Sequence, residues 1–132
     1  MSESTPTEKP KLVLSDATRI LFCIAAPSHS LRDIFGIARV DGKDKIISMG
    51  RPWLKVHPIR TNEASFDPDL FRKYARSFSD GETFMVMWIL NVWNPSYAKS
   101  KKWNFDLFSA LGTLDDGNRK AICDWLAHPI WP

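Results

Sequence analysis

The sequence predicts an α+β fold, with an N-terminal β-hairpin or small antiparallel sheet packed on a C-terminal bundle of about four helices. Two observations carry that prediction. Asp41-Gly42 sits between two β-prone runs, Phe35–Val40 and Lys45–Met49, and Asp-Gly in that position is the strongest short hairpin signal because glycine accepts the positive φ of the turn. From Asp67 onward the apolar spacing becomes helical, and capping residues open the segments. A lone hairpin is too small to stand by itself, so it must pack on the helices.

Taken in chain order, residues 1–11 are polar and proline-containing and read as a disordered lead-in to one globular domain, 12–132. Arg19–Ala26 is a short apolar run that suits a buried strand or, with Ser15 as N-cap, a short helix. Periodicity does not separate the two, and the helix is preferred. After the hairpin, Gly50-Arg51-Pro52 ends the second strand. Trp53–Ile59 can add a third, and Pro58 confines it to an edge. Asp67-Pro68 is a helix start, an Asp N-cap followed by proline in the first turn. Leu70, Phe71, Tyr74, Ala75 and Phe78 then form one apolar stripe. Ser79-Asp80-Gly81 breaks that helix. Glu82–Trp93, apolar on nearly every side, is read as a central buried helix in preference to a strand. Asn94-Pro95 ends it, and 96–104 is a basic surface loop. Phe105–Leu111 makes a short helix with Gly112 as C-cap. Asp115 or Asp116 caps a last helix that carries Ile122, Trp125 and Leu126 on one face and closes at Pro129.

The 132 residues are 44% hydrophobic and 25% charged, ordinary values for a single folded domain. Six tryptophans and eight phenylalanines are many for this length, and they supply the buried area that a small core needs. The net charge is +3, and its excess lies in residues 1–66, with ten Lys/Arg against seven Asp/Glu; 67–132 carry eight of each. That mild excess permits acidic partners or nucleic acid without requiring either. Cys23 and Cys123 stand far apart in apolar stretches and are expected to be reduced, buried thiols. The N-terminal segment lacks the basic-then-apolar order of a signal peptide. The longest apolar run, Phe84–Leu90, falls far short of the ~20 residues needed to cross a bilayer. A soluble, cytoplasmic protein without a membrane partner is expected.

The residue types that carry chemistry are scattered. His29, His57 and His128 are remote from one another and from both cysteines, so no zinc-ligand spacing occurs. Cys123 and His128 lie five apart, a spacing that does not hold an imidazole against a thiol. Ser28-His29-Ser30 reads as a turn. No glycine-rich phosphate loop is present. Asp67, Asp69, Asp115 and Asp116 fall at helix starts, where capping explains them. The expectation is therefore no catalytic residue, no metal, no cofactor and no enzyme.

Surfaces are more informative. A helix-turn-helix over 105–126 fits poorly, because Asp115 and Asp116 would open the recognition helix. Arg39, Lys43, Lys45, Arg51 and Lys55 surround the hairpin, and with Lys99, Lys101 and Lys102 they form the candidate nucleic-acid set. The candidate partner-binding set is Trp53, Arg72, Lys73, Arg76 and Trp103, since tryptophan and arginine dominate binding hot spots. Of the loop or terminal tryptophans Trp53, Trp103 and Trp131, at least one is expected to be exposed. The reading that follows is a non-enzymatic protein-binding accessory or regulatory module. Its alternative is a small nucleic-acid-binding regulator using the basic hairpin.

Ala75, the polar interval ending in Gly81, the apolar helix closing in Trp93-Asn94, Phe105-Asp106-Leu107 and the final amphipathic helix together show one resemblance. Over about residues 70–127 the chain resembles an uncharacterised family of small bacterial proteins carried on plasmids and integrative elements. Members tend to have a shorter, glycine-bearing loop where this chain has its Lys-rich 96–104 stretch. The resemblance implies a bacterial, mobile-element setting and no site residue; a mobile-element or phage anti-defence factor is one form of the accessory module read above.

Overall fold

Serine and aspartate side chains start almost every helix of this protein. The computed structural model describes residues 13–40, 42–46, 53–75 and 78–132. Five strands and six α-helices lie among them, ordered β1 (Val13–Leu14), α1 (Asp16–Ala25), α2 (His29–Phe35), β2 (Ile37–Val40), β3 (Lys43–Ile46), β4 (Leu54–Val56), β5 (Glu63–Phe66), α3 (Pro68–Tyr74), α4 (Asp80–Trp93), α5 (Leu107–Leu111) and α6 (Asp116–Ala127). A 3-10 helix, Pro95–Lys99, follows α4. Ser15, Ser28, Asp67, Asp106 and Asp115 each accept a backbone N–H of the turn they open, satisfying donors that a helix start leaves unpaired. Ser79 and Glu82 form a reciprocal capping box on α4.

Arg19–Ala26 is thus helical, as preferred from its composition. The Ser79-Asp80-Gly81 interval does more than break a helix, since Ser79 caps α4 and the other two lie inside it. Ser28-His29-Ser30 opens a helix, not a turn.

The hairpin pairs Ile37 with Ile46 through Val40 with Lys43 across a two-residue connection. Gly42 takes φ 76°, which that tight reversal requires. Asp44 lies opposite Arg39 within the ladder. Gly36, at φ 72°, ends α2 in the left-handed conformation and delivers the chain into β2.

A second sheet stands beside the hairpin's, beyond the sequence expectation. It has the order β1-β5-β4, with β1 parallel to β5 and β4 antiparallel to it. The expected third strand is therefore real, and β4 is an edge strand, but it pairs with β5 and not with the hairpin. The helices are also not confined to the C-terminal part, because α1 and α2 precede the hairpin. The lead-in assigned to 1–11 and the Gly50-Arg51-Pro52 strand end lie outside the described residues.

The core centres on aromatic rings. Phe35 of α2 stacks on Phe71 of α3 at 5.1 Å and 8°. Trp53 and Phe66 meet both rings edge-on, at 5.1–6.0 Å. α4 supplies Met85, Val86, Ile89 and Leu90, all fully buried. Both cysteines are exposed, against expectation. In each helix the neighbouring residues, Phe22 and Ile24 or Ala121 and Ile122, take the core-facing positions and leave the thiol outside. An apolar stretch does not bury every member of a helix.

Thr18 joins α1 to the sheet. Ser15 N–H reaches Ala64 O at 2.9 Å, after which β1 turns into the helix. The next β5 donor, Phe66 N–H, is received by Thr18 Oγ1 at 2.9 Å, so a fully buried side chain replaces the missing strand. Thr18→Val preserves shape and removes that acceptor. The expected cost is about 1–3 kcal/mol, the range for a buried donor left unsatisfied, read by equilibrium urea unfolding; a cost near zero would remove Thr18 from this role.

Candidate functional site

Two concave surfaces share one wall. The wall is the segment from Pro95 to Trp103, and local hydrogen bonds fold it. Asn94 Oδ1 accepts Ser96 N–H at 3.0 Å and starts the 3-10 turn. Ser100 Oγ accepts Lys102 N–H and Trp103 N–H at 3.2 and 3.1 Å, turning the chain so that the Trp103 ring returns to the core. Asn91, on α4, pins the far end by donating through Nδ2 to Trp103 O at 2.9 Å and to Met87 O at 2.7 Å. The stretch expected to be a surface loop is thus a folded partition.

On one side lies an apolar groove of about 320 Å³ between α4, α5 and α6. Trp88, Val92 and Ile122 are its buried residues, and Pro95 and Ala98 belong to the shared wall. Trp125 meets Trp88 edge-on at 6.0 Å and Trp131 at 5.0 Å. Its indole N–H is consumed by Ile130 O at 2.9 Å, which folds the 128–131 segment back over the groove. Leu126, expected on the packed face of the last helix, is 54% exposed at the groove's edge, and Trp131 is equally exposed. Phe108, on α5 beside the groove-lining Leu107, is 84% exposed.

On the other side lies a cleft of about 500 Å³ lined by Asp69, Arg72, Lys73, Lys102 and Trp103. Arg72 pairs with Asp69 one helical turn earlier. Its guanidinium carbon stands 5.4 Å from the centre of the Tyr97 ring, and Lys102 Nζ stands 5.3 Å from that of Trp103. Burial pushes the Tyr97 phenol above its usual pKa, against the pull of Arg72 and with a smaller push from Asp69 and Asp67. The phenol therefore stays neutral and adds no negative charge.

Of the predicted partner-facing residues, Arg72, Lys73 and Trp103 are brought together here, and Lys102 of the predicted nucleic-acid set joins them. Trp53 is corrected: it is fully buried among Phe35, Phe71 and Tyr74 and cannot meet a partner. Trp131 is the exposed tryptophan of the three. Lys99 and Lys101 are exposed on the wall. Lys43 and Lys45 lie on β3, Arg39 on β2 and Lys55 on β4 of the other sheet, so the predicted basic surface is divided between two sheets. Arg51 and Arg76 lie outside the described residues.

One polar constellation escaped the sequence reading. α2 and α6 bring Ser28, Ser30, His29, Asp115 and Asn118 together. Ser28 Oγ donates to Asn118 Oδ1 at 2.6 Å and accepts Leu31 N–H at 3.1 Å, while Asn118 Nδ2 donates to Ser30 Oγ at 2.9 Å. His29 Nε2 meets Asp115 Oδ2 at 2.7 Å on the exposed side. The buried hydroxyl is thus bonded to an amide, which takes no proton, and the imidazole is engaged elsewhere. The arrangement caps two helices and joins them; it does not activate a nucleophile. Among the described residues no three His, Cys, Asp or Glu side chains are grouped to hold a metal ion, and no helix is long and apolar enough to cross a membrane.

Neither a protein-family model, nor a curated protein, nor a solved structure matches this chain.

Two predictions come from these contacts. Asn91→Ala removes the pin under Trp103, so amides of 95–103 should exchange with deuterium roughly tenfold faster, as expected when about 1–2 kcal/mol of hydrogen bonding is lost; unchanged exchange would show that the wall stands without it. The second concerns acid. The Ser109 hydroxyl and N–H hold the Asp106 carboxyl below its usual pKa, and Asn118 N–H, followed by His29, does so for Asp115. A carboxylate lowered in the fold stabilises it above the unfolded-chain value of about 3.9, and that contribution is lost as pH falls through the native value. Asp106→Asn retains a cap but not the titration. Urea midpoints of this variant should therefore fall less than the wild-type midpoints between neutral and acid pH; parallel losses would contradict the assignment.

Proposed function

We propose that this chain is a non-enzymatic protein-binding module and that its partner docks on the apolar groove between α4, α5 and α6. The observation that carries this reading is exposure: Leu107, Leu126 and Trp131 line the groove at 37–54% exposed, and Phe108 and Leu111, on the same short helix as Leu107, are 84% and 43% exposed. Together they offer on the order of 500 Å² of apolar surface, judged from areas of 150–250 Å² for an aromatic side chain. That approaches the roughly 800 Å² which each partner contributes to a standard interface. The mode that fits is apolar side chains of a partner seated in a groove lined by indole rings, with the fixed Trp125 as an anchor that loses little freedom on binding. A role as an accessory module, such as a mobile-element or phage anti-defence factor, is compatible with this mode, and the resemblance over 70–127 supports the bacterial mobile-element setting alone.

Capture from the cells that make the protein, after nuclease treatment, is the test. The wild-type chain should retain a stoichiometric protein, and Leu126→Asp and Phe108→Asp, both at exposed positions, should lower recovery about tenfold while the circular dichroism stays unchanged. Recovery of the bare chain, or equal recovery by both variants, would overturn the reading.

A further inference from the structure

The basic cleft across the shared wall is a second recognition surface, and its charge defines what it takes. Three cations, Arg72, Lys73 and Lys102, meet one carboxylate, Asp69, and Arg72 already pairs with that carboxylate. Among the described residues no carboxylate is paired with Lys73 or Lys102, nor with Lys99 and Lys101 on the same wall. The cleft therefore holds unmatched positive charge between a helix and a folded segment, both fixed by their own hydrogen bonds. Its rings are not stacking platforms for bases: Trp103 is only 7% exposed, and Arg72 lies over the Tyr97 ring. Single-stranded nucleic acid gains most of its non-electrostatic affinity from free aromatic faces, which this cleft lacks. A carboxylate needs only correctly placed donors, which the ammonium groups of Lys73 and Lys102 supply.

We propose that this cleft binds carboxylates of an acidic polypeptide segment belonging to the same partner, beside the apolar side chains seated in the groove. The proposal rests on the protein-binding reading given above and adds the partner's chemistry: apolar residues adjoining a run of Asp or Glu. Pro95 and Ala98 line the groove while Lys102 and Trp103 line the cleft, so both surfaces border the same nine-residue segment, 95–103.

The test is a nuclear magnetic resonance titration of the full chain with hexaglutamate, with hexathymidylate and inorganic phosphate as separate arms. Hexaglutamate should shift the Trp103 indole and the Lys73 and Lys102 amides, and its affinity should fall as salt rises. The double variant Lys73→Ala/Lys102→Ala should weaken it about tenfold, whereas Arg19→Ala/Lys120→Ala, which removes the same charge from exposed positions outside the cleft and the groove, should leave it unchanged. No shift at millimolar hexaglutamate overturns the proposal. Tighter binding of hexathymidylate at the same signals reassigns the cleft to nucleic acid, and tighter binding of phosphate reassigns it to a free phosphate group. A chain that captures its partner through Leu126 yet ignores hexaglutamate loses this proposal and keeps the groove.

Discussion

The stacked rings of Phe35 and Phe71 are the constraint on which the rest of the structure depends. One belongs to the second helix and the other to α3, and the cluster is closed by Phe66 at the end of β5 and by Trp53, the residue before β4. Helix, sheet and the start of the C-terminal half therefore meet at one point. Large rings suit such a joint, because each buries much area and edge-to-face contacts fix their angles. Since the first turn of α3 is set by this cluster and by the Asp67 cap, Arg72 and Lys73 emerge on a rigid base and face the wall. The aromatic store of this sequence is thus divided, with one group fixing the sheet to α2 and α3 and another lining the groove at α4 and α6.

What could be read from the sequence was local. Ser15, Asp67 and Asp115 mark helix starts through a side chain reaching two or three residues ahead, and Gly42 marks a turn through its own φ. Strands β1 and β5 carry no such mark. Glu-Ala-Ser-Phe is a strand because Leu14 and Val56 flank Ala64 from either side, and those partners are not its neighbours in the chain. The site divides in the same way. Composition marks the cations, since Arg72-Lys73 and Lys101-Lys102 stand out as pairs. No sequence pattern marks the groove, because Trp88, Pro95, Leu107 and Trp125 become neighbours only when three helices pack. The exposed cysteines and the buried Trp53 differ from expectation for a related reason: composition reports which stretches are apolar, but packing chooses the face.

The wall between the two concave surfaces explains why so short a segment holds its shape. It is held at three points, by Asn94 at its start, Ser100 in its middle and Asn91 beneath its end, and each is a side-chain bond to backbone. Such bonds satisfy groups that no strand or regular helix would satisfy here. The lysines between those anchors remain free to face solvent, so the positive charge is displayed on a support that does not depend on it.

The parallel pairing of β1 with β5 has a kinetic side. Val13 is bonded in register with Glu63, fifty positions along the chain, whereas β4 and β5 are joined through the six residues 57–62. Loop-closure entropy makes the longer connection costlier to form by about 2 kcal/mol. With only two residues in its ladder, β1 returns little of that cost until α1 has docked. The order of assembly that follows is local hairpins and helices first and the N-terminal strand last, and the same strand is the first to detach when the protein begins to unfold.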